Sequence, residues 1–145
     1  MKTFKELGIA EALITGLSKA GIVNPTEIQS AVIPGGLAHQ DVIAQSVTGS
    51  GKTLAYLLPI FESVDVTSKA LQAVVLSPTH ELSVQIANEV KKLAQNAGLA
   101  LQCQVLIGET SLKRQVEALK SKPQIVVGSP GRITELIAMK KLKMH

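Results

Sequence analysis

Short apolar runs alternate along this chain with segments whose apolar residues recur at helical spacing. The runs at 41–45, 73–76, 101–107 and 124–127 are each followed by such a helical segment. This order is typical of parallel pairing, because the helix returns the chain to the sheet edge where the first strand began. The pattern therefore predicts an α/β domain, a parallel sheet with helices on both faces, whose ligands bind beyond the carboxyl ends of the strands.

The predicted helices begin and end at recognisable signals. Gly21 ends the first helix, and Thr26 is the natural N-cap of the second. Pro34-Gly35-Gly36 is expected to weaken or bend that second helix. The helices are predicted at 6–20, after Thr26, and at 53–63, 80–95, 111–120 and 132–139.

The composition suits one globular domain with an aliphatic core. Of the 145 residues, 46% are hydrophobic but only 2% are aromatic. The one cysteine, Cys103, excludes a disulfide within the chain, and we expect it to be a small buried hydrophobe on a strand. The net charge of +4 is compatible with a polyanionic partner.

The sequence pattern shows neither a targeting signal nor a membrane span. Lys2 and Lys5 are not followed by the apolar run of a signal peptide. No apolar stretch is long enough to cross a bilayer. We therefore expect a cytoplasmic protein with no membrane partner.

The strongest chemical signal is a glycine-containing loop between a predicted strand and a predicted helix. It reads Ser46-Val47-Thr48-Gly49-Ser50-Gly51-Lys52-Thr53. Glycines allow successive backbone amides to point at phosphate oxygens, Lys52 can reach the β- and γ-phosphates, and the Thr53 hydroxyl can ligate Mg²⁺. The order strand, loop, Lys-Thr and helix favours a nucleotide site over the alternative, a glycine-rich turn with a chance lysine.

At this loop the sequence resembles DEAD-box helicases, which typically have Ala where this chain has the small residue Ser46. The stretch from Gly21 to Gln29, with Phe4 upstream, resembles the Q motif of that family. The resemblance implies that ATP and Mg²⁺ are the cofactors and that Gln29 recognises adenine. It places Phe4 near the base, although core packing is an equally good interpretation of Phe4.

Two further loops resemble family motifs that contact the RNA sugar-phosphate backbone. They are Pro78-Thr79-His80-Glu81-Leu82-Ser83 and Ser129-Pro130-Gly131-Arg132. Such contacts hold a strand without reading its bases. The resemblance implies RNA contacts for Thr79, His80, Gly108, Ser129, Gly131 and Arg132. Helix capping by Thr79 and Ser129, and a solvated arginine at position 132, are the alternative interpretations.

The chain departs from the family pattern at Ile22, where an aromatic is common, at His80 and Glu109, and in its extent. His80 stands where Arg is usual, and Glu109 stands where a second glycine is usual, so both weaken the expected RNA contact. The 145 residues contain no Asp-Glu-Ala-Asp stretch. The resemblance therefore implies a partial first RecA-like domain over 1–145, with the Q-motif region at 1–30 and the P-loop core at 41–139.

Such a fragment is expected to bind ATP without hydrolysing it at a useful rate, while the parent protein couples ATP to RNA unwinding. In the family, the missing segment supplies strands to the middle of the sheet. Open sheet edges are therefore expected to promote self-association. Two other functions remain open on the residues alone: a small P-loop phosphotransferase, and a non-catalytic nucleotide- or RNA-binding module.

Overall fold

The computed structural model describes residues 2–143 and divides into two compact units. The first comprises the residues up to Val64 together with Leu93–Leu99, and the second comprises Asp65–Lys92 and the residues from Ala100 onward. The elements are α1 Glu11–Lys19, α2 Glu27–Leu37, α3 Lys52–Ser63, β1 Ala73–Leu76, α4 His80–Asn96, β2 Cys103–Leu106, α5 Leu112–Ala118, a 3₁₀ turn at Leu119–Ser121, β3 Ile125–Gly128 and α6 Pro130–Ala138. No helix within residues 2–143 is long and apolar enough to cross a membrane.

The first helix is shorter than the predicted segment 6–20. Residues 4–8 form a turn, and α1 begins only at Glu11. The reason is local, since Gly8 has a left-handed backbone (φ +99°) and Ala10 is extended (φ −67°, ψ 150°). Neither conformation continues a helix.

The second helix runs through the residues that were expected to weaken it. Thr26 is the N-cap of α2, as predicted, and forms a capping box with Gln29, but the helix includes Pro34 and ends at Leu37. Gly36 explains part of this, because a Cβ there would lie 2.7 Å from the Pro59 ring of α3. The missing side chain lets the two helices pack closely, and that packing supports α2 despite its poor helix formers.

The predicted strand at 41–45 is wrong, because the structure leaves this segment without regular secondary structure. The side chain of Ile43 is fully exposed and that of Val42 is 44% exposed. A strand forms only where a neighbour supplies ladder hydrogen bonds, and no described residue pairs with this segment. The described part of the chain therefore contains three of the four predicted strands.

The second unit contains the parallel sheet. Its strand order is β1-β3-β2, and Ala73 and Cys103 both lie opposite Ile125 at the start of the central strand. Residues 125–127 are completely buried. Because successive strand residues face opposite sides, both faces of β3 are covered. On one face Val126 packs with Leu106 and with Ile133 and Leu136 of α6.

Cys103 is the small buried strand residue that was predicted. Its side chain is 4% exposed on β2, and burial raises the pKa of its thiol to about 11. A thiol with such a pKa stays protonated and unreactive near neutral pH. Among residues 2–143 there is no group of three or more His, Cys, Asp or Glu side chains that could hold a metal ion.

Candidate functional site

The glycine loop enters α3 directly at Lys52. Gly51 occupies the N-cap position of α3 without a side-chain cap, and its backbone is left-handed, as is that of Gly49 (φ +91° and +82°). A Cβ on Gly49 would meet no atom within 4 Å, so the loop is open on that side. The first amides of a helix lack intrahelical partners and carry partial positive charge, which suits a phosphate group.

The Lys52 side chain folds back over the loop that precedes it. Its Nζ donates a hydrogen bond to the Ser46 carbonyl oxygen at 2.7 Å. Val47 and Thr48 are exposed, whereas Ser50 and Thr53 are half-buried. A cation and several helix-start amides thus surround one short loop, and this donor set fits a nucleotide phosphate.

Gln29 lies against the phosphate loop. Its Oε1 accepts a hydrogen bond from the Thr26 amide at 2.9 Å, and its Nε2 donates to the Gly51 carbonyl at 3.1 Å. The Thr26 Oγ1 accepts from the Gln29 amide at 3.4 Å and completes the capping box. The residue predicted to read adenine therefore joins the start of α2 to the residue that caps α3.

Phe4 lies in the hydrophobic core of the first unit, with 2% of its surface exposed. This burial is what the core-packing interpretation of Phe4 predicts. Its ring therefore presents almost no surface that a base could contact.

The loops after β1, β2 and β3 all begin at the carboxyl ends of these parallel strands, on the same side of the sheet. Ser77 donates its amide to Gly128 O at 2.9 Å, and Ser129 donates its amide to Leu106 O at 3.0 Å. These bonds hold the three loops side by side. The predicted RNA residues of the second unit, Thr79, His80, Gly108, Ser129, Gly131 and Arg132, therefore lie on loops or helix starts at one edge.

Helix capping was the alternative interpretation of both Thr79 and Ser129, but only Thr79 makes a side-chain cap hydrogen bond. Thr79 Oγ1 accepts a hydrogen bond from the Leu82 amide at 3.1 Å, so Thr79 does cap α4. Ser129 occupies the N-cap position of α6 but makes no side-chain cap hydrogen bond. α6 starts at Pro130 rather than at the predicted residue 132, because proline is favoured in the first turn of a helix.

Arg132 is not a solvated surface residue, because its side chain is only 11% exposed. Its guanidinium donates to the carbonyl oxygens of Gly108 and Thr110 at 3.3 and 3.1 Å, and to Gln115 Oε1 at 3.0 Å. Its Nε lies 3.5 Å from a carboxylate oxygen of Glu135. Arg132 therefore holds the loop after β2 in place.

Gln115 is a site residue that the sequence did not indicate. It is 2% exposed, donates to Ile107 O at 2.6 Å and accepts from Arg132. A lone glutamine in a short amphipathic helix carries no signal that distinguishes it from a surface residue, so only the tertiary structure identifies it.

His80 and Glu109, two residues that depart from the family pattern, contact one another. His80 Nδ1 lies 2.8 Å from Glu109 Oε1, and the two side chains are 35% and 76% exposed. An imidazole nitrogen and a carboxylate at this distance form a hydrogen-bonded ion pair when the imidazole is protonated.

The chain is similar to known proteins of one family. The DEAD/DEAH box helicase family model matches residues 26–145. Over 127 residues the chain is 56% identical to the DEAD-box ATP-dependent RNA helicase CshC of Bacillus cereus, covering 88% of this chain and 32% of that protein. It is 39% identical to CshB of Listeria monocytogenes over 98% of this chain and 33% of the relative.

A solved structure has the same fold. The crystal structure of a DEAD box protein from Methanococcus jannaschii superimposes with a TM-score of 0.89 at 34% identity, covering 97% of this chain and 38% of that protein. The chain thus spans about a third of the length of these relatives. The family match covers most of the chain and includes the phosphate loop and both predicted RNA loops, so this chain belongs to the DEAD/DEAH box helicase family.

Proposed function

We propose that this chain is part of the first RecA-like domain of an ATP-dependent RNA helicase, a protein that couples ATP binding and hydrolysis to remodelling of RNA duplexes. The observation that carries the proposal is the contact between Gln29 and Gly51. It joins the predicted adenine-reading residue to the predicted phosphate loop. In this proposal residues 1–30 form the Q-motif region, and 41–139 form the P-loop core.

The nucleotide site has a role for each loop residue. Backbone amides from Ser46 to Lys52 hold the phosphates, the Lys52 ammonium neutralises their charge, and the Thr53 hydroxyl ligates Mg²⁺. Gln29 selects adenine, and Phe4 supports it from the core. When bound, Mg²⁺ neutralises phosphate charge during phosphoryl transfer.

The RNA site is formed by the loops at the sheet edge of the second unit. Thr79, His80, Gly108, Ser129 and Gly131 contact the sugar-phosphate backbone through hydroxyls, amides and the imidazole. Arg132 contributes by fixing the loop at 108–110. Contacts of this kind carry no base specificity, which suits an enzyme that acts on many sequences.

A small P-loop phosphotransferase explains the residues of the phosphate loop but gives no purpose to the Gln29 contact or to the second-unit loops. The second alternative, a nucleotide- or RNA-binding module without catalysis, agrees with one expected property of the isolated chain, the lack of ATP hydrolysis. Its 145 residues lack the Asp-Glu-Ala-Asp stretch whose carboxylates hold Mg²⁺ and position water. We therefore expect the unmodified chain to release phosphate from Mg²⁺–ATP, in the presence of RNA, no faster than the Lys52→Ala variant does.

Calorimetric titration with ADP–Mg²⁺ and GDP–Mg²⁺ tests the nucleotide site. We expect ADP to bind more tightly than GDP, and Lys52→Ala to weaken ADP about tenfold to hundredfold, because hydrogen bonds to charged groups are the stronger ones. Gln29→Ala should remove the preference for ADP. Equal binding of ADP and GDP by the unmodified chain, or no binding of either, contradicts this assignment.

Thr26→Ala is the matched control for Gln29→Ala. It removes the hydroxyl that caps α2 but leaves the Gln29 side chain on Gly51. It should loosen the same helix start and yet keep the preference for ADP. If Thr26→Ala loses that preference as fully as Gln29→Ala does, the effect is one of local stability and not of base reading.

Self-association of the isolated chain is a further part of the proposal. β1 forms an edge of the sheet and, among the described strands, pairs only with β3. Leu76 at the end of β1 is 57% exposed. An apolar edge strand is a template for pairing with another chain, so a second copy is the expected partner.

A further inference from the structure

We propose that Glu109 competes with an RNA phosphate for the His80 side chain, so that the His80–Glu109 pair limits how tightly the second unit binds RNA. This inference rests on the proposed RNA-binding function and adds a residue to it. Glu109 is then a determinant of RNA affinity that acts against binding.

The position of the pair supports this role. His80 follows β1 and Glu109 follows β2, and in the order β1-β3-β2 these strands flank β3. The 2.8 Å contact therefore reaches across the carboxyl end of β3, where Ser129 begins the next loop. An RNA phosphate that approaches Ser129 meets the Glu109 carboxylate there.

The loop that carries Glu109 is fixed on both sides. Arg132 donates hydrogen bonds to the carbonyl oxygens of Gly108 and Thr110, the residues on either side of Glu109. The Thr110 amide also donates to Ile107 O at 3.3 Å. The carboxylate is therefore held near His80 by the fold and not only by its own attraction to the imidazole.

Competition follows from the chemistry of the imidazole. The Glu109 carboxylate occupies the Nδ1 side of the His80 ring, so a phosphate oxygen can bind at that nitrogen only by displacing the carboxylate. Two anions around one ring also repel each other. Since the Glu109 carboxylate is largely solvated and His80 is partly exposed, the pair is weak, and its effect is a severalfold reduction of affinity and not a block.

Fluorescence anisotropy with a labelled short single-stranded oligouridylate tests the proposal. Glu109→Gln keeps the shape of the side chain and removes its charge. We expect it to tighten RNA binding about threefold to tenfold, from the loss of an exposed pair and of a nearby like charge.

Glu117→Gln is the matched control. Glu117 is 72% exposed and pairs with Lys120 at 3.0 Å on the neighbouring segment, so its removal changes the net charge by the same amount. We expect less than a twofold change from Glu117→Gln. An equal gain from both variants means that only total charge matters, and it overturns the proposal.

His80→Gln separates competition from simple repulsion. In that background the gain from Glu109→Gln should shrink to less than half, because the shared partner is gone. If Glu109→Gln tightens RNA binding as much in the His80→Gln background as in the unmodified chain, the proposal is overturned. It is also overturned if Glu109→Gln alone leaves RNA affinity unchanged, but that result does not contradict the proposed function. If neither the chain nor any variant binds RNA, both the inference and the proposed RNA function fail.

A second readout needs no RNA. In ¹H–¹⁵N spectra of the free chain, the side-chain nitrogen signals of His80 should move in Glu109→Gln and stay in place in Glu117→Gln. Unmoved His80 signals would mean that the pair is not formed in solution, which overturns the proposal.

Discussion

Ser83 carries a buried hydroxyl in the first turn of α4. The residue has no exposed surface, and its Oγ has no hydrogen-bond partner among the described residues. A buried hydroxyl without a partner loses its hydrogen bonds to water and gains nothing in exchange, which costs about 1–3 kcal/mol.

We therefore expect Ser83→Ala to raise the free energy of unfolding by about 1 kcal/mol, helped by the higher helix propensity of Ala. Urea unfolding followed by circular dichroism measures it. Ser77→Ala is the control, because the Ser77 hydroxyl is equally buried but donates to Thr79 O at 3.4 Å. The prediction is wrong if Ser83→Ala gains no more stability than Ser77→Ala.

At the scale of single residues, local signals were predictable and tertiary partners were not. The capping box at Thr26 and Gln29 could be predicted because both halves lie within four consecutive residues. The hydrogen-bond acceptors of the Arg132 guanidinium lie 17–24 residues away in sequence. Which carbonyls a guanidinium meets over that distance depends on the packing of α5 and α6, which no local pattern encodes.

At the scale of elements, the phosphate loop and α3 meet at a glycine that a neighbouring helix restricts. A Cβ on Gly51 would lie 2.6 Å from Gln29 Nε2 and 2.9 Å from Thr26 Oγ1, whereas a Cβ on Gly49 would meet nothing within 4 Å. Both glycines have positive φ. The two positions therefore carry the same kind of backbone strain but differ in steric room.

We expect Gly49→Ala to lower the free energy of unfolding by about 1–2 kcal/mol, the cost of a left-handed backbone. Gly51→Ala should cost at least about 1 kcal/mol more, because it also displaces Gln29. Adding Gln29→Ala to Gly51→Ala should recover part of that excess, and a double-mutant cycle by urea unfolding measures the coupling. Equal costs at the two glycines would show that the Gln29 contact does not constrain the loop.

The predicted strands that have a pairing neighbour among the described residues are formed in the structure. The predicted strand at 41–45 has no such neighbour and is not formed. β1 and β3 lie where strands were predicted from apolar runs, and residues 125–127 of β3 are buried. The run at 41–45 contains the apolar residues Val42, Ile43 and Ala44 but has no ladder partner in the described part of the chain. Strand formation depends on a neighbour, so an apolar run predicts a capacity to pair and not the pairing itself.

At the scale of the whole molecule, the parallel sheet was predictable from the alternation of elements, but its strand order was not. The order β1-β3-β2 leaves β1 at an edge. Ala73 and Ser77 direct their amides to β3, so by the alternation of a strand the amides of Val74 and Leu76 point away from it. These outward groups and the exposed Leu76 side chain form the surface on which a second copy is proposed to pair.

We expect the 15.3 kDa chain to scatter light as a dimer or larger species at tens of micromolar. Leu76→Lys should return it to the monomer mass, because a charged side chain on an edge strand opposes strand addition. Val84→Lys is the control, since Val84 is an exposed apolar residue of α4 in the same unit and adds the same charge. If the unmodified chain is monomeric, or if both lysine variants dissociate it equally, pairing through the β1 edge is refuted. Loss of association in Leu76→Lys alone would locate the contact at that edge, since only there does the new charge meet unpaired backbone groups.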